Sequence, residues 1–214
     1  MRFLLTEGFW ALDQLNPFEW HLLAKLPETA RGIGLPPGTR ERLFPPLLPT
    51  ETLADEETLA MVEDWSEFTR PEIASRFESE RDLVEIDLSE VAWVERTEEG
   101  PEDHEQPEEL ENPEESESEG FEDPVPEATI LAGERYGRVT VATDHTDAWY
   151  SALNQARILL HEAHQLADAE ERRLLVTPTD EADADLDRER LYLVAQYEFY
   201  SALQGLLVEH VMRP

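Results

Sequence analysis

The sequence predicts a mostly α fold of the α+β class: a helical bundle with one or two short β-hairpins and a long acidic disordered insert. Three observations carry this reading. Apolar residues recur three and four apart over 147–166 and again toward the C-terminus. Short apolar runs flank turn-forming residues near 3–12 and 128–142. Between Glu95 and Glu127, 16 acidic residues stand against one basic residue, Arg96.

The first hairpin pairs Phe3-Leu4-Leu5 with Phe9-Trp10-Ala11-Leu12 across Glu7-Gly8. Asn16-Pro17-Phe18-Glu19 then opens a helix. Asn caps, Pro suits the first turn, and Glu three residues on completes a capping box. Pro27 should end or kink that helix. Residues 32–50 are rich in Gly and Pro and read as an ordered or extended connection, with Leu43, Phe44, Leu47 and Leu48 apolar enough to dock. Thr58, Leu59, Met61, Val62, Trp65 and Phe68 give the next segment an apolar helical stripe. Pro71 can open a further helix through Ile73 and Phe77. For residues 84–94 the period fits helix and strand equally.

Residues 95–127 lack the apolar anchors needed to offset ordering entropy, so disorder is expected there. Order should resume with a second hairpin, Ala128–Leu131 returning as Arg138–Ala142 across Glu134–Gly137. Thr143 or Asp144 should cap the following helix, and Val176–Asp180 reads as a loop before the last one. Residues 1–94 and 128–214 thus build a single domain around the insert. The second part is a hairpin and a terminal antiparallel helix pair.

Composition bounds the function. There is no cysteine, which removes disulfides, thiolate zinc sites and cysteine nucleophiles. The net charge of −33 repels phosphate backbones and anionic bilayers, so neither nucleic acid nor membrane is an expected partner. No apolar run is long enough to span a bilayer, and a cytoplasmic location is expected. Basic partners or cations suit such a surface, and a protein partner of unknown identity is expected.

The helix from Asp147 has a core face of Trp149, Ala152, Leu153, Ala156, Leu159, Leu160, Ala163, Leu166 and Ala167. Beside it runs a polar stripe of Tyr150, Asn154, Arg157, His161 and His164, in steps of 4, 3, 4 and 3. On the last helix Tyr192, Ala195, Phe199, Ala202, Leu203 and Leu206 form the apolar stripe, flanked by Glu198 and Gln204, and Gly205 would admit a close backbone. Antiparallel packing would bring Arg157 level with Glu198, Asn154 near Ser201 or Gln204, and Trp149 near Leu206. The six residues Tyr150, Asn154, Arg157, His161, Glu198 and Gln204 are the candidate ligand or structural stripe. No catalytic residue, cofactor or metal is assigned. His161 and His164 are three apart, without the His-Glu-x-x-His spacing of a zinc protease or a third ligand. Phosphate-loop, Rossmann and serine-elbow motifs are absent.

Arg42-Leu43-Phe44-Pro45 with the acidic helix after it, Ala148-Trp149 with Leu153-Asn154 and Arg157, and Tyr200 through Leu203-Gln204 with Leu207-Val208 resemble a bacterial family. It is known only as a domain of unknown function and is often encoded beside the Clp protease adaptor ClpS. The acidic insert departs from its pattern. The resemblance implies a small, mostly helical cytoplasmic protein with no established catalysis, and the gene neighbour points toward protein turnover. Two classes of function follow. The first is a non-enzymatic interaction or regulatory protein linked to regulated proteolysis. The second is a small-ligand-binding protein or enzyme using Asn154, Arg157 and His161.

Overall fold

The computed structural model describes residues 1–45, 56–95, 135–166 and 184–213. The acidic insert beyond Glu95, the strand expected at 128–131, Leu47 and Leu48, and the loop expected at 176–180 lie outside the described residues. Strands β1 (Arg2–Thr6) and β2 (Phe9–Leu15) lead into α1 (Pro17–Ala24) and α2 (Leu26–Ala30), and a 3₁₀ turn spans Thr39–Leu43. Helix α3 (Glu56–Asp64) runs through a π turn (Trp65–Thr69) into α4 (Arg70–Ser89). Strands β3 (Ala92–Glu95) and β4 (Arg135–Ala142), helices α5 (Thr146–His164) and α6 (Ala184–Leu207), and a closing π turn (Val208–Met212) complete the chain.

Local signals in the N-terminal part act as their chemistry requires. Glu7-Gly8 turns the first hairpin, with Gly8 at φ +82°, a backbone setting that side chains with a Cβ resist. The capping box at Asn16 is complete. Glu19 N–H donates to Asn16 Oδ1 at 2.8 Å, and Asn16 N–H donates to Glu19 Oε2 at 3.0 Å. The helix breaks at Lys25, and Pro27 takes the first turn of α2, where its missing N–H costs nothing. The π turn has a similar origin. Arg70 N–H reaches back to Trp65 O, and Pro71, which has no N–H to donate, follows in the first turn of α4. Residues 84–94 divide, with helix through Ser89 and strand from Ala92.

The sheet is antiparallel throughout, in the order β1-β2-β4-β3. The turn expected across Glu134–Gly137 is corrected from Arg135 onward. Arg135–Gly137 are strand because β4 is central, with β2 on one side and β3 on the other. The cap expected at Thr143 or Asp144 is also corrected. Those residues form a 3₁₀ turn, and α5 starts at Thr146. The Thr146 hydroxyl donates to Thr143 O at 2.7 Å and accepts from the Trp10 indole at 3.1 Å.

The core lies between one sheet face and the helices. Trp10, Leu12, Val139 and Val141 point inward in the alternation a half-covered sheet demands, and an irregularity between Leu12 and Leu15, with Gln14 at φ +56°, brings Leu15 inward as well. They meet the α5 face read from the sequence, with Trp149, Ala152, Leu153, Ala156, Leu159 and Leu160 all buried. Trp10 and Trp149 meet edge to face at 5.2 Å. That geometry contributes about 0.5–1.5 kcal/mol beyond area burial. Helix α6 packs along α5, and Trp149 lies beside Leu203 and Leu207.

The buried face of α6 is rotated from the expected stripe. Gln196, Tyr197, Tyr200, Leu203, Gln204 and Leu207 are buried, while Ala202 is exposed. The cause is polar satisfaction. Tyr200 donates to Leu22 O at 2.8 Å and accepts from Gln196 Nε2 at 2.9 Å, which also donates to Thr29 Oγ1 at 3.1 Å. Burial pushes the Tyr200 hydroxyl far above its usual pKa. Gly205 faces open space instead of a neighbouring backbone.

The stripe on α3 does not enter this core. No residue of α3 or of its π turn is buried. Among the described residues, the arm's main packing is onto the helix it continues.

Candidate functional site

Helix α5 divides the predicted polar stripe between two faces. Arg157 lies against α6. Its Nε donates to Ser201 Oγ at 2.9 Å, its Nη1 donates to Gln204 Oε1, and its guanidinium covers the Tyr197 ring at 5.4 Å. Ser201 in turn donates to Tyr197 O at 2.8 Å. The expected pairing with Glu198 is therefore replaced. The rotation that buries Tyr197 and Tyr200 turns Glu198 outward. Tyr150, Arg157 and Gln204, with Gly205 and Arg213, line a groove of about 430 Å³.

Asn154 faces elsewhere. It lines a second groove, of about 390 Å³, between the 3₁₀ turn, α4 and α5, together with Arg42, Arg76, Phe77, Asp147 and Tyr150. Tyr150 borders both grooves. Arg76 pairs with Glu80 at 2.8 Å, and Arg42 lies 3.7 Å from Glu162. Phe44 meets Phe77 of the groove in a tilted pair at 5.7 Å and lies under the Arg70 guanidinium at 5.8 Å.

His161 is half-buried and lines neither groove. Burial holds the His164 imidazole below its ordinary pKa, with Glu189 acting in the opposite direction. Among the described residues, no group of three or more His, Asp or Glu could hold a metal ion.

A second polar cluster escaped the sequence reading. Helix α4 buries three charged residues against α5: Glu80, Arg81 and Asp87. Arg81 donates to Gln155 Oε1 at 2.8 Å, to Ala30 O at 3.2 Å and to Glu78 Oε2 at 2.5 Å. The Arg81 contact, ahead of an Arg31 contact, holds the Glu78 carboxyl below its usual range. Glu80 accepts from Ser151 Oγ at 2.5 Å, and Ser151 accepts from Gln155 Nε2 at 3.0 Å. Asp87 accepts from the Trp149 indole at 2.8 Å and lies 3.1 Å from His145 Nδ1. Arg31 fans over Glu78, Asp82 and Glu85 at the rim.

The signal for this cluster was present in the sequence. Glu80, Arg81 and Asp87 share a helical face with Val84 and Leu88, so charge sits within an apolar stripe. Reading it required knowing that α5 supplies Ser151, Gln155 and Trp149 as partners.

The cluster's chemistry is that of a clamp. Each carboxylate is tied to an arginine, a hydroxyl or an indole. Removing one partner would strand a buried charge.

No curated protein and no solved structure matches the chain. The family described as Domain of unknown function (DUF2017) matches residues 6–211, nearly the whole sequence, and the chain belongs to that family.

Proposed function

We propose that this chain is a cytoplasmic, non-enzymatic interaction protein with a regulatory role connected to regulated proteolysis. The supporting observation is the engagement of Arg157, the strongest anion-binding group of the polar stripe. Its donors are committed to Ser201 and Gln204 and its face to Tyr197, so it sets the register of two helices. The two grooves formed by the described residues divide the stripe, with Arg157 in one, Asn154 in the other and Tyr150 bordering both.

Affinity capture from native lysate, with and without residues 95–127, tests the proposal. A stoichiometric protein partner is expected, and a protease subunit, adaptor or short-lived substrate should be among the captured set. A set without any of these removes the proteolysis link. If nothing is captured but a bound small molecule is released on denaturation, the interaction reading is wrong.

One observation favours a second reading. The side chains of Asn154 and Tyr150 have no hydrogen-bond partner among the described residues, and both line the 390 Å³ groove, a volume that suits a small ligand. Asn154→Ala should then leave the fold intact and abolish ligand retention in native mass spectrometry.

A further inference from the structure

We infer that the arm formed by α3 and its π turn, residues 56–69, is a docking helix for a protein with an apolar groove and a basic rim. This rests on reading the chain as an interaction protein. The arm is helical throughout, yet none of its residues is buried. Leu59, Met61 and Phe68 are 51%, 50% and 61% exposed. A helix of about this length is marginal alone in water, because nucleation is costly and tertiary packing supplies most of the stability. An amphipathic helix gains that packing by laying its apolar side into a groove, with anchors three and four residues apart. Met61, Trp65 and Phe68 have that spacing.

Charge selects the occupant. Residues 56–69 contain Glu56, Glu57, Glu63, Asp64 and Glu67, and no Lys or Arg. The acidic residues flank the apolar ones along the arm. A complementary surface is therefore apolar at its centre and basic at its edge, which favours encounter and sets specificity. A second copy of this chain is the wrong partner. Pairing two arms would bring acidic rims together on two bodies that each carry −33, and such self-repulsion keeps chains apart. An anionic bilayer is excluded on the same ground.

The test places a photo-crosslinking residue at Met61 in the full chain, in native lysate. It is compared with the same chain carrying Trp65→Ser and Phe68→Ser, two of the three anchors. The crosslinked protein is identified and its attachment site mapped. The expected result is a site surrounded by apolar residues and rimmed with Lys and Arg. Yield should fall at least about tenfold in the double variant, matching the affinity lost with two anchors, and should also fall as salt is raised. Unchanged urea midpoints would show that the variant still folds. A crosslink to a second copy, a crosslink to an acidic site, or a yield indifferent to both substitutions would overturn the docking arm. If affinity capture still finds a partner in that last case, the interaction reading stands and only the arm is wrong. If neither method finds a protein, both fail.

Discussion

Helix α5 and the α3 arm carry the same kind of sequence and meet opposite fates. Both place apolar residues three and four apart, and both are interspersed with polar side chains. On α5 the apolar face is sealed by α2, α4 and α6, with Trp10 of the sheet against Trp149. On the arm Met61 and Phe68 stay exposed, and Val62 and Trp65 are only half-buried. Periodicity determines that a helix has an apolar face. What covers the face is a tertiary property, and on the arm nothing among the described residues seals it. The same residues that stabilise the fold in α5 are available for binding in the arm.

Substitutions that cut into α5 should have the largest effects. Trp149→Ala removes a fully buried indole that also satisfies Asp87. It should cost about 3–5 kcal/mol in urea unfolding. A cost below about 1 kcal/mol would mean that α5 is no better packed than the arm. Arg81→Ala should cost about 3 kcal/mol or more, because Glu78 and Gln155 lose a buried partner. Arg81→Met, similar in length and apolar, should recover part of that loss.

Arg157 tests the finer geometry of the helix pair. Arg157→Ala should cost about 1–3 kcal/mol, since Ser201 and Gln204 lose their charged donor. A double-mutant cycle with Gln204→Ala should show coupling above about 0.5 kcal/mol, whereas one with Glu198→Ala should be additive. Coupling to Glu198 instead would restore the register first read from the sequence.

The sheet offers a pH test. A hydrogen bond from Arg138, 2.7 Å away, holds the Asp13 carboxyl below its usual 3.8. The folded pKa lies below the unfolded one, so the contribution is complete above the unfolded value. It is lost as pH falls from there through the folded value. Asp13→Asn should remove that part of the acid sensitivity, and unfolding midpoints between pH 5 and pH 2 should then fall less steeply than in the native chain.

Legibility differed between elements for physical reasons. The Asn16 capping box, the Glu7-Gly8 turn and the α5 core face rest on neighbours in sequence, and all were readable. The rotation of α6 depends on Leu22 and Thr29, distant residues that accept the hydrogen bonds of Tyr200 and Gln196. Apolar pattern alone gives no weight to a satisfied tyrosine. The same limit applies to Glu80, Arg81 and Asp87, charged residues that read as surface until Ser151, Gln155 and Trp149 are placed opposite them. The candidate stripe was legible as a helical face. Its division between two grooves was not, because that depends on which helix flanks each side.

The most direct test of the contrast between arm and body is native-state hydrogen exchange on the free full-length chain. Amides of residues 57–69 should exchange far faster than those of residues 149–160, whose protection should approach that of global unfolding. Leu59→Ser and Phe68→Ser should leave the slow set unchanged, and the urea midpoint should stay within about 0.5 kcal/mol of the native value. Equal protection of the two segments would show that the arm belongs to the folded core and would contradict its assignment to binding.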